Sequence, residues 1–304
     1  MERVEGGSAL PAHLQRAIVA LGNFDGFHLG HQAVVGRAVA LAKAHGVPAI
    51  VATFDPHPVR YFKPDTPPFR LTTLDQRQRL FGAAGADAML VFAFNETLAH
   101  VSAEAFVTDW LRDASGVVTG EDFTFGKGRS GNIAVLRTLA ARQGMTVDTV
   151  PPVLLDKVPV SSSRIREALK AGDCAEATRL MTRPFAIEGV VQHGDKVGRA
   201  LGYPTANLDL GKYLRPRYGV YAVRGRLPDG RVLRGAANLG VRPQFDPPKE
   251  LLEPYFFDFS EDLYGQCIEV ALIAHLRDEQ KFAGLDALKE QMAQDCERAR
   301  ALLA

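Results

Sequence analysis

The most informative stretch of this sequence is Gly22-Asn23-Phe24-Asp25-Gly26-Phe27-His28-Leu29-Gly30-His31. It follows an apolar run over residues 17–21, which has the composition of a buried strand, and apolar residues recur at helical spacing after Leu29. The stretch is therefore predicted to turn from a strand into a helix, with Gly22 and Gly26 allowing the backbone to bend tightly.

Two histidines of this turn, His28 and His31, lie three residues apart and so come near one face of the first helical turn. That turn carries backbone N–H groups without helical partners and the positive end of the helix dipole, which together favour a phosphate. The alternative is a helix start with two surface histidines. The glycines, Asn23 and the preceding strand favour the phosphate site.

Composition limits the kinds of protein that this sequence encodes. Its 304 residues suffice for two domains, and 36 Lys and Arg against 35 Asp and Glu give a formal net charge of +1. Without an excess of positive charge, nucleic acid is not an expected partner. The three cysteines lie far apart without metal-ligand spacing, which argues against a zinc site. Because no apolar leader and no long apolar run occurs, we expect a cytoplasmic protein without a membrane partner.

Apolar strands alternate with helical segments through the first half of the chain. Helices are predicted between strands near residues 17–21, 48–54, 87–92, 116–120 and 145–150, whereas residues 1–15 are expected to form a loose tail. This alternation predicts an α/β fold, a doubly wound parallel sheet. Ligands of such sheets gather at the carboxyl ends of the strands.

Two further polar clusters follow predicted strands in this half. The first, residues 53–58, indicates from its residues alone a proline-rich turn that contains His57. The second, residues 120–131, contains four glycines and two cations and is by itself consistent with a flexible loop. Both clusters come at strand ends, where a ligand of such a sheet would lie.

Three serines, Ser161, Ser162 and Ser163, precede a predicted helix, and Arg166 follows them. Serines in this position are usually N-caps. Three hydroxyls, the N–H groups of the helix start and one guanidinium can also converge on a single anion. Both interpretations fit the residues.

The helical rhythm stops near Arg183-Pro184, and short strands with turn signals follow. They predict a small antiparallel β-barrel, followed by one helix over about residues 285–302 whose apolar stripe includes Leu285 and Cys296. We therefore expect two domains, residues 1–183 and 184–304.

A second glycine-rich motif, residues 194–208, lies near the start of the second domain. Its glycines and cations fit either a plain loop or a flap over phosphates; these residues are Gly194, Lys196, Gly198, Arg199 and Gly202. Thr205 and Asn207 are two apart and share one face of an extended strand. A hydroxyl and an amide oxygen suit Mg²⁺, a hard cation that also binds phosphate oxygens.

Together these motifs resemble those of a known family. Residues 22–31 resemble the (H/T)-x-G-H signature of the nucleotidylyltransferase superfamily, in the form found in bacterial bifunctional riboflavin kinase/FMN adenylyltransferases. Residues 198–207 resemble the riboflavin kinase motif G-x-x-x-G-[FY]-P-T-A-N, and residues 276–282 resemble the family's closing motif L-R-x-E-x-K-F. The resemblance implies that the second domain phosphorylates riboflavin to FMN with ATP. It implies that the first domain joins FMN to the AMP part of ATP and releases pyrophosphate.

The resemblance also implies roles for single residues of the first domain. His28, His31 and Arg166 are the catalytic residues that stabilise the ATP phosphates during adenylylation. The further donors that bind ATP are Asn23, Ser161, Ser162 and Ser163. Those on the flavin side are His57, Asp122, Phe123 and Phe125.

In the second domain the resemblance implies that the residues of the glycine-rich flap, with Thr205 and Asn207, bind ATP and Mg²⁺. Glu253 aligns with the catalytic glutamate, whereas Glu250 has no such match and is expected to be a solvated charge. The chain departs from the family pattern at Gln244, where Thr is usual. It also departs at Pro254, which removes a backbone donor and predicts a sheet edge there.

Two other functions fit parts of the sequence. A different adenylyltransferase, for pantetheine phosphate or nicotinamide mononucleotide, explains residues 22–31 but gives the second half no role. A flavin-binding regulator without catalysis has no need for the polar residues of both motifs. Product analysis after incubation with riboflavin and Mg-ATP distinguishes all three.

Overall fold

A computed structural model describes residues 1–193, 202–242 and 249–304. The chain divides into two units, of which the first is Met1–Pro67 with Leu74–Ser161 and the second is Pro68–Thr73 with Ser162–Ala304. Among the described residues, no helix combines the length and the apolar composition needed to cross a membrane.

A parallel sheet forms the centre of the first unit. Its strands, in the spatial order β1-β4-β3-β2-β5-β6, are β1 (Glu2–Glu5), β2 (Ala17–Leu21), β3 (Ala49–Asp55), β4 (Ala88–Ala93), β5 (Ala114–Gly120) and β6 (Thr146–Val150). The helices of this unit are α1 (Leu29–His45), α2 (Pro58–Phe62), α3 (Leu74–Ala83), α4 (Glu96–Ala99), α5 (Ala103–Ala105) and α6 (Ile133–Arg142). A π-helical turn, Phe106–Trp110, continues α5, and a hairpin of β7 (Leu154–Leu155) and β8 (Val158–Pro159) ends the unit. Every pairing in the main sheet is parallel, which confirms the predicted α/β class.

Both faces of this sheet are buried because the strands are apolar at consecutive positions. Ile18 of β2 belongs to a core that contains Val35 of α1 and Phe81 of α3. Its neighbour Val19 points to the opposite face and belongs to a second core, with Leu136 of α6. Parallel sheets are covered on both faces in this way, so continuous apolar runs were a reliable signal.

The N-terminal residues do not form the loose tail that the sequence suggested. Strand β1 is an edge strand that pairs with β4, with Glu2 opposite Ala88 and Glu5 opposite Val91. Three of its four residues are charged, so it carries no apolar alternation. Charged side chains are common on edge strands, and they hide such strands from a hydrophobic pattern.

The second unit contains an antiparallel sheet in the order β10-β13-β12-β11-β14-β9. Its strands are β9 (Phe185–Val190), β10 (Leu208–Asp209), β11 (Gly219–Arg226), β12 (Val232–Arg242), β13 (Lys249–Phe256) and β14 (Cys267–Arg277). A bridge between Gln192 and Asn207 joins the two ends of this order, with the Gln192 N–H donating to the Asn207 carbonyl at 2.9 Å. The sheet therefore closes into the predicted barrel.

Two helices that precede the barrel pack against it. These are α7 (Ser162–Ala171) and α8 (Cys174–Met181), and α8 contacts β14 and β9. The Arg217 N–H donates to the Leu169 carbonyl at 3.0 Å. At Gly172 a Cβ would lie 3.3 Å from the His275 ring, so the helix pair approaches the barrel closely. The pair is thus a structural part of the second unit.

Removing this helix pair should destabilise the barrel. A fragment of residues 184–304 lacks the buried side chains of Ile165, Leu169, Leu180 and Met181, which a fragment of residues 162–304 keeps. We expect the longer fragment to melt at least about 5 °C higher, since loss of even one such apolar contact has an effect of that size in a small domain. Thermal unfolding followed by circular dichroism measures the difference. Equal melting temperatures would show that the pair does not stabilise the barrel.

The chain ends with helix α9 (Leu285–Leu303), which is buried along Asp295, Ala299 and Leu303. The predicted apolar stripe is correct at the half-buried Cys296 but wrong at Leu285, which is 62% exposed. The buried residues of the helix all lie in its later turns. Asp295 can be buried there because its carboxylate pairs with Arg277 on β14, with Nη2 of the arginine 2.7 Å away. A periodic apolar pattern in the sequence does not reveal such a pair.

Candidate active sites

The strand order of the first unit reverses between β2 and β5. From β2 the chain moves through β3 to β4 on one side, and from β5 it moves to β6 on the other. Such a reversal opens a crevice at the carboxyl ends of the two central strands, where doubly wound sheets bind ligands. Residues 22–31 follow β2, and residues 120–131 begin at the last residue of β5. Two of the predicted clusters therefore begin at this crevice.

His28 and His31 lie together at the start of α1. His28 is the N-cap residue, and its Nδ1 accepts a hydrogen bond from the His31 N–H at 3.4 Å. The two imidazole rings stack with their centroids 3.6 Å apart, and the ring of Phe24 meets His31 edge-on at 5.2 Å. The structure thus brings both predicted histidines to the helix terminus whose N–H groups favour an anion.

The turn between β2 and α1 contains residues in unusual backbone conformations. Phe24 and Phe27 have φ values of +50° and +41°, and Gly26 has a φ of +88°. Bulky residues rarely adopt such left-handed values. Their rings pack edge-on against Phe81 of α3, with centroids 5.7 and 5.2 Å away. Core packing thus holds the bend, in which Gly26 has a left-handed φ and Gly22 does not.

Asn23 lies two residues after the end of β2, and its side-chain oxygen is buried. Among the described residues this oxygen has no hydrogen-bond partner. Buried polar atoms are nearly always satisfied, so an orphan beside a crevice fits a group that a ligand completes. A Cβ at Gly30 would lie 3.8 Å from the Val160 carbonyl, so the chain leading into Ser161 passes beside the start of α1.

Ser162, Ser163 and Arg166 lie on α7, in the second unit. The Nε of Arg166 donates to the Phe69 carbonyl at 2.9 Å, and the guanidinium carbon lies 5.1 Å from the centre of the Phe69 ring. Residue 69 belongs to the same unit. The roles of these α7 residues toward ATP stay predictions from the motif.

The predicted flavin-side residues differ in how accessible they are. His57 is the N-cap residue of α2, and its Nδ1 accepts a hydrogen bond from the Val59 N–H at 3.2 Å. The rings of Phe123 and Phe125 are nearly parallel, with centroids 5.8 Å apart. Phe125 is only 7% exposed and belongs to the core, whereas Phe123 is half-buried at its edge. Phe123 is thus the better placed of the two to meet a flat ligand.

Asp122 lies close to the end of β5. A Cβ at Gly120 would lie 2.9 Å from Oδ1 of Asp122, so the carboxylate folds back over the strand terminus. The side chain is therefore at the crevice, where the resemblance predicts a contact with the flavin substrate.

In the second unit, strand register brings Asn207 opposite Glu253. Strands β10 and β13 pair Leu208 with Leu252. The pairing continues two residues before the start of β10, because the N–H of residue 206 donates to the carbonyl of residue 254 at 3.0 Å. Residues directly opposite on neighbouring strands share a face, with Cβ atoms about 4.5–5.5 Å apart. The predicted metal ligand and the predicted base are therefore neighbours.

Asn238 of β12 extends this row, since it pairs with Glu253 on the other side. Thr205 precedes Asn207 by two residues and is half-buried, while the Asn207 side chain is buried. Within residues 1–193, 202–242 and 249–304, no group of three or more His, Cys, Asp and Glu is placed to hold a metal.

Glu279, to which the sequence motifs gave no role of its own, also lies at this face. Its Oε1 accepts from Nδ2 of Asn238 at 3.4 Å. A Cβ at Gly240 would overlap the Glu279 carboxylate, so glycine at that position makes room for it. The closing motif L-R-x-E-x-K-F contained this glutamate, but nothing in the sequence indicated which strand it meets.

Two expectations for β13 were wrong. β13 is not an edge strand, because β10 and β12 lie on its two sides. The carbonyl of Pro254 accepts from residue 206, on the side away from β12. In an antiparallel strand the nitrogen and the carbonyl of one residue point to the same side, so the missing N–H of Pro254 removes no hydrogen bond with β12. Glu250 is not a solvated charge, because its carboxylate lies 2.7 Å from Nη2 of Arg215 and accepts from the Tyr218 hydroxyl. The hydrogen bond from Arg215 is the main cause that lowers the pKa of Glu250.

Several predicted residues, Gly194, Lys196, Gly198, Arg199 and Gln244, lie outside the described part of the chain. Gly202 lies within it and has a φ of +88°, a value that favours glycine.

Two family models match this chain. The model described as FAD synthetase matches residues 10–164, and the model described as riboflavin kinase matches residues 181–303. A bifunctional riboflavin kinase/FMN adenylyltransferase of Pseudomonas fluorescens is 42% identical over 308 aligned residues, which cover 100% of this chain and 98% of that protein. The chain belongs to the bifunctional riboflavin kinase/FMN adenylyltransferase family.

A bifunctional riboflavin kinase/FMN adenylyltransferase of Escherichia coli K12 is 37% identical, and the alignment covers 91% of this chain and 90% of that protein. A solved structure from Streptococcus pneumoniae, titled as a macrolide-efflux protein, shares 30% identity and has a TM-score of 0.88. That similarity covers 99% of both chains, so the two proteins share their fold over almost the full length.

Membership in this family confirms the predicted function. The chain is a transferase with riboflavin kinase and FMN adenylyltransferase activities, and the two family models match in the predicted order. A single adenylyltransferase for another substrate does not account for the match to riboflavin kinase over residues 181–303.

Proposed function

We propose that riboflavin phosphorylation takes place at the row formed by Asn207, Glu253 and Asn238. The observation that carries this proposal is the register, which sets Glu253 between the two asparagines. Glu253 accepts the proton of the riboflavin 5′-hydroxyl as that oxygen attacks the γ-phosphorus of ATP, and ADP leaves. FMN is the product.

Thr205 and Asn207 are proposed to bind Mg²⁺ together with the ATP phosphates. A hydroxyl and a buried amide oxygen fit this ion, which takes oxygen ligands and retains substrate phosphates among them. When bound, the ion neutralises negative charge on the phosphates and so lowers their repulsion toward the nucleophile. Gly194, Lys196, Gly198, Arg199 and Gly202 stay proposed ATP ligands on the strength of the motif.

Adenylyl transfer is proposed to occur at the carboxyl ends of β2 and β5. A phosphate oxygen of FMN attacks the α-phosphorus of ATP, pyrophosphate leaves, and FAD forms without a covalent enzyme intermediate. The reaction depends on alignment and on stabilisation of phosphate charge. His28, His31 and Asn23 are proposed to supply that stabilisation together with the N–H groups of α1. The motif adds Ser161, Ser162, Ser163 and Arg166 as further proposed donors.

The flavin of the second reaction is proposed to lie near His57, Asp122, Phe123 and Phe125, with Phe123 offering the more accessible ring.

The functional boundary is proposed between residues 183 and 184, so that a fragment of residues 184–304 phosphorylates riboflavin without forming FAD. The substrates are ATP, riboflavin and FMN, and the expected location is the cytoplasm.

Changing Asn207 to Asp tests the proposed metal site. The substitution replaces a neutral oxygen ligand with a charged one beside Glu253, so it should change the Mg²⁺ concentration for half-maximal riboflavin phosphorylation several-fold. It should also lower the rate, because the added charge repels the ATP phosphates. Mg²⁺ titrations that follow FMN by chromatography measure both effects.

Asp209→Asn is the matched control for this experiment, since Asp209 is an exposed residue on the same short strand. Its Mg²⁺ dependence should equal that of the wild type, and neither variant should alter the Mg²⁺ dependence of FAD formation from FMN. An Asn207→Asp variant with wild-type Mg²⁺ dependence would place the metal elsewhere.

A further inference from the structure

A buried ion pair lies against the turn between β2 and α1. Arg77 of α3 and Asp25 of the turn have side chains that are 1% and 2% exposed, with Nη2 and Oδ1 3.1 Å apart. Side chains buried to this degree do not touch a substrate. Their charges must therefore act, if at all, through the residues that they hold.

A second contact joins the same guanidinium to the turn. Nη1 of Arg77 donates to Oγ1 of Thr53 at 3.2 Å, and the Thr53 hydroxyl donates to the backbone carbonyl of Asn23 at 2.8 Å. Thr53 is fully buried at the end of β3. Arg77 thus holds the turn at Asn23 and at Asp25, on both sides of Phe24.

Stability alone does not explain this arrangement. Taking a guanidinium and a carboxylate out of water is costly, and apolar residues of similar volume often stabilise a core equally well. The turn also contains left-handed φ values at Phe24 and Phe27, and such conformations persist only where the surroundings impose them. Charged hydrogen bonds have fixed directions and lengths, so they impose one conformation where interchangeable apolar contacts do not.

We propose that Arg77 is a positioning residue for adenylyl transfer. Through Asp25 and Thr53 it fixes the backbone around Phe24, whose ring contacts the His31 ring at 5.2 Å. It also fixes Asn23, whose buried side-chain oxygen has no hydrogen-bond partner among the described residues. This proposal rests on the proposed role of the turn in binding ATP phosphates.

Two single variants, Arg77→Met and Asp25→Leu, are compared with the double variant in the full chain. Each single variant leaves one charge buried alone and should lower the melting temperature, whereas the double variant should melt close to the wild type. The kcat of the double variant for FAD formation should still fall about 100-fold, because a displacement of about 1 Å of a group in a reacting site has an effect of this size. The KM for ATP should change only a few-fold, and riboflavin phosphorylation should be unchanged.

Milder variants keep the test decisive if the double variant does not fold. Thr53→Val removes the link to Asn23 but keeps the ion pair, and should lower kcat for FAD formation roughly tenfold. Arg77→Lys keeps the charge but cannot donate to Asp25 and Thr53 with the same fork, so it should show a similar loss. Arg79→Met replaces an exposed arginine of the same helix and should behave as the wild type.

The proposal is overturned if the double variant melts like the wild type and forms FAD within a few-fold of the wild-type rate. It is equally overturned if Thr53→Val and Arg77→Lys both keep the wild-type kcat. His31→Ala in the same assay separates this proposal from the function on which it rests. If His31→Ala forms FAD normally, the turn is not the ATP site; if only His31→Ala is impaired, the positioning role alone is wrong.

Discussion

Glu253→Gln should slow riboflavin phosphorylation by about 10²–10⁴-fold, the contribution typical of a general base. The 5′-hydroxyl of riboflavin is a poor nucleophile, and the carboxylate accepts its proton as the bond to phosphorus forms. Glutamine keeps the size of the side chain and its place between Asn207 and Asn238. Initial rates of FMN formation measure the loss, and FAD formation from supplied FMN should be unchanged in the same preparation.

Glu250→Gln is the matched control, since Glu250 lies on the same strand but is paired with Arg215. Its riboflavin kinase rate should stay within a few-fold of the wild type. A Glu253→Gln variant that is equally active would show that another group takes the proton or that no base is needed.

His31→Ala should reduce FAD formation from FMN by about 10²–10³-fold, the usual cost of removing one donor that stabilises charge in the transition state. The imidazole lies at the start of α1, stacked on His28 with centroids 3.6 Å apart. Its loss removes a donor and a surface on which the turn packs. Riboflavin phosphorylation should stay near the wild-type rate, because the family model for riboflavin kinase begins only at residue 181.

His45→Ala is the control for this variant, because His45 is exposed in the last turn of the same helix. It should leave both activities unchanged. Equal loss of both activities in a well-folded His31→Ala variant would contradict the assignment of the two reactions to separate sites.

Much of the fold follows from local patterns. Consecutive apolar residues in β2 predicted burial on both faces, and the order of strands and helices predicted a parallel sheet. The errors occurred where tertiary contacts decide: β1 is a strand only because β4 is beside it. Similarly, Leu285 has the spacing of the buried stripe on α9, but its side chain lies at the exposed start of the helix.

The candidate sites were predictable where a motif is contiguous and not where distant segments meet. The spacing of glycines and histidines marked residues 22–31 as a candidate site, and the spacing of glycine and polar residues marked residues 202–207. Arg77 and Asp25 are 52 positions apart, and Asn238 and Glu279 are 41 apart. No spacing rule connects residues so far apart in sequence; a buried ion pair and a carboxylate over a glycine become visible only when the strands and helices are assembled.

The most direct test of two independent sites in one chain is a complementation assay. Glu253→Gln and His31→Ala are incubated separately and as an equimolar mixture with riboflavin and Mg-ATP, and FMN and FAD are separated by chromatography. Alone, Glu253→Gln should form little FMN, and His31→Ala should accumulate FMN with little FAD. The mixture should convert riboflavin to FAD, because FMN released by one variant is adenylylated by the other. A mixture that forms no more FAD than the two variants alone would contradict the account.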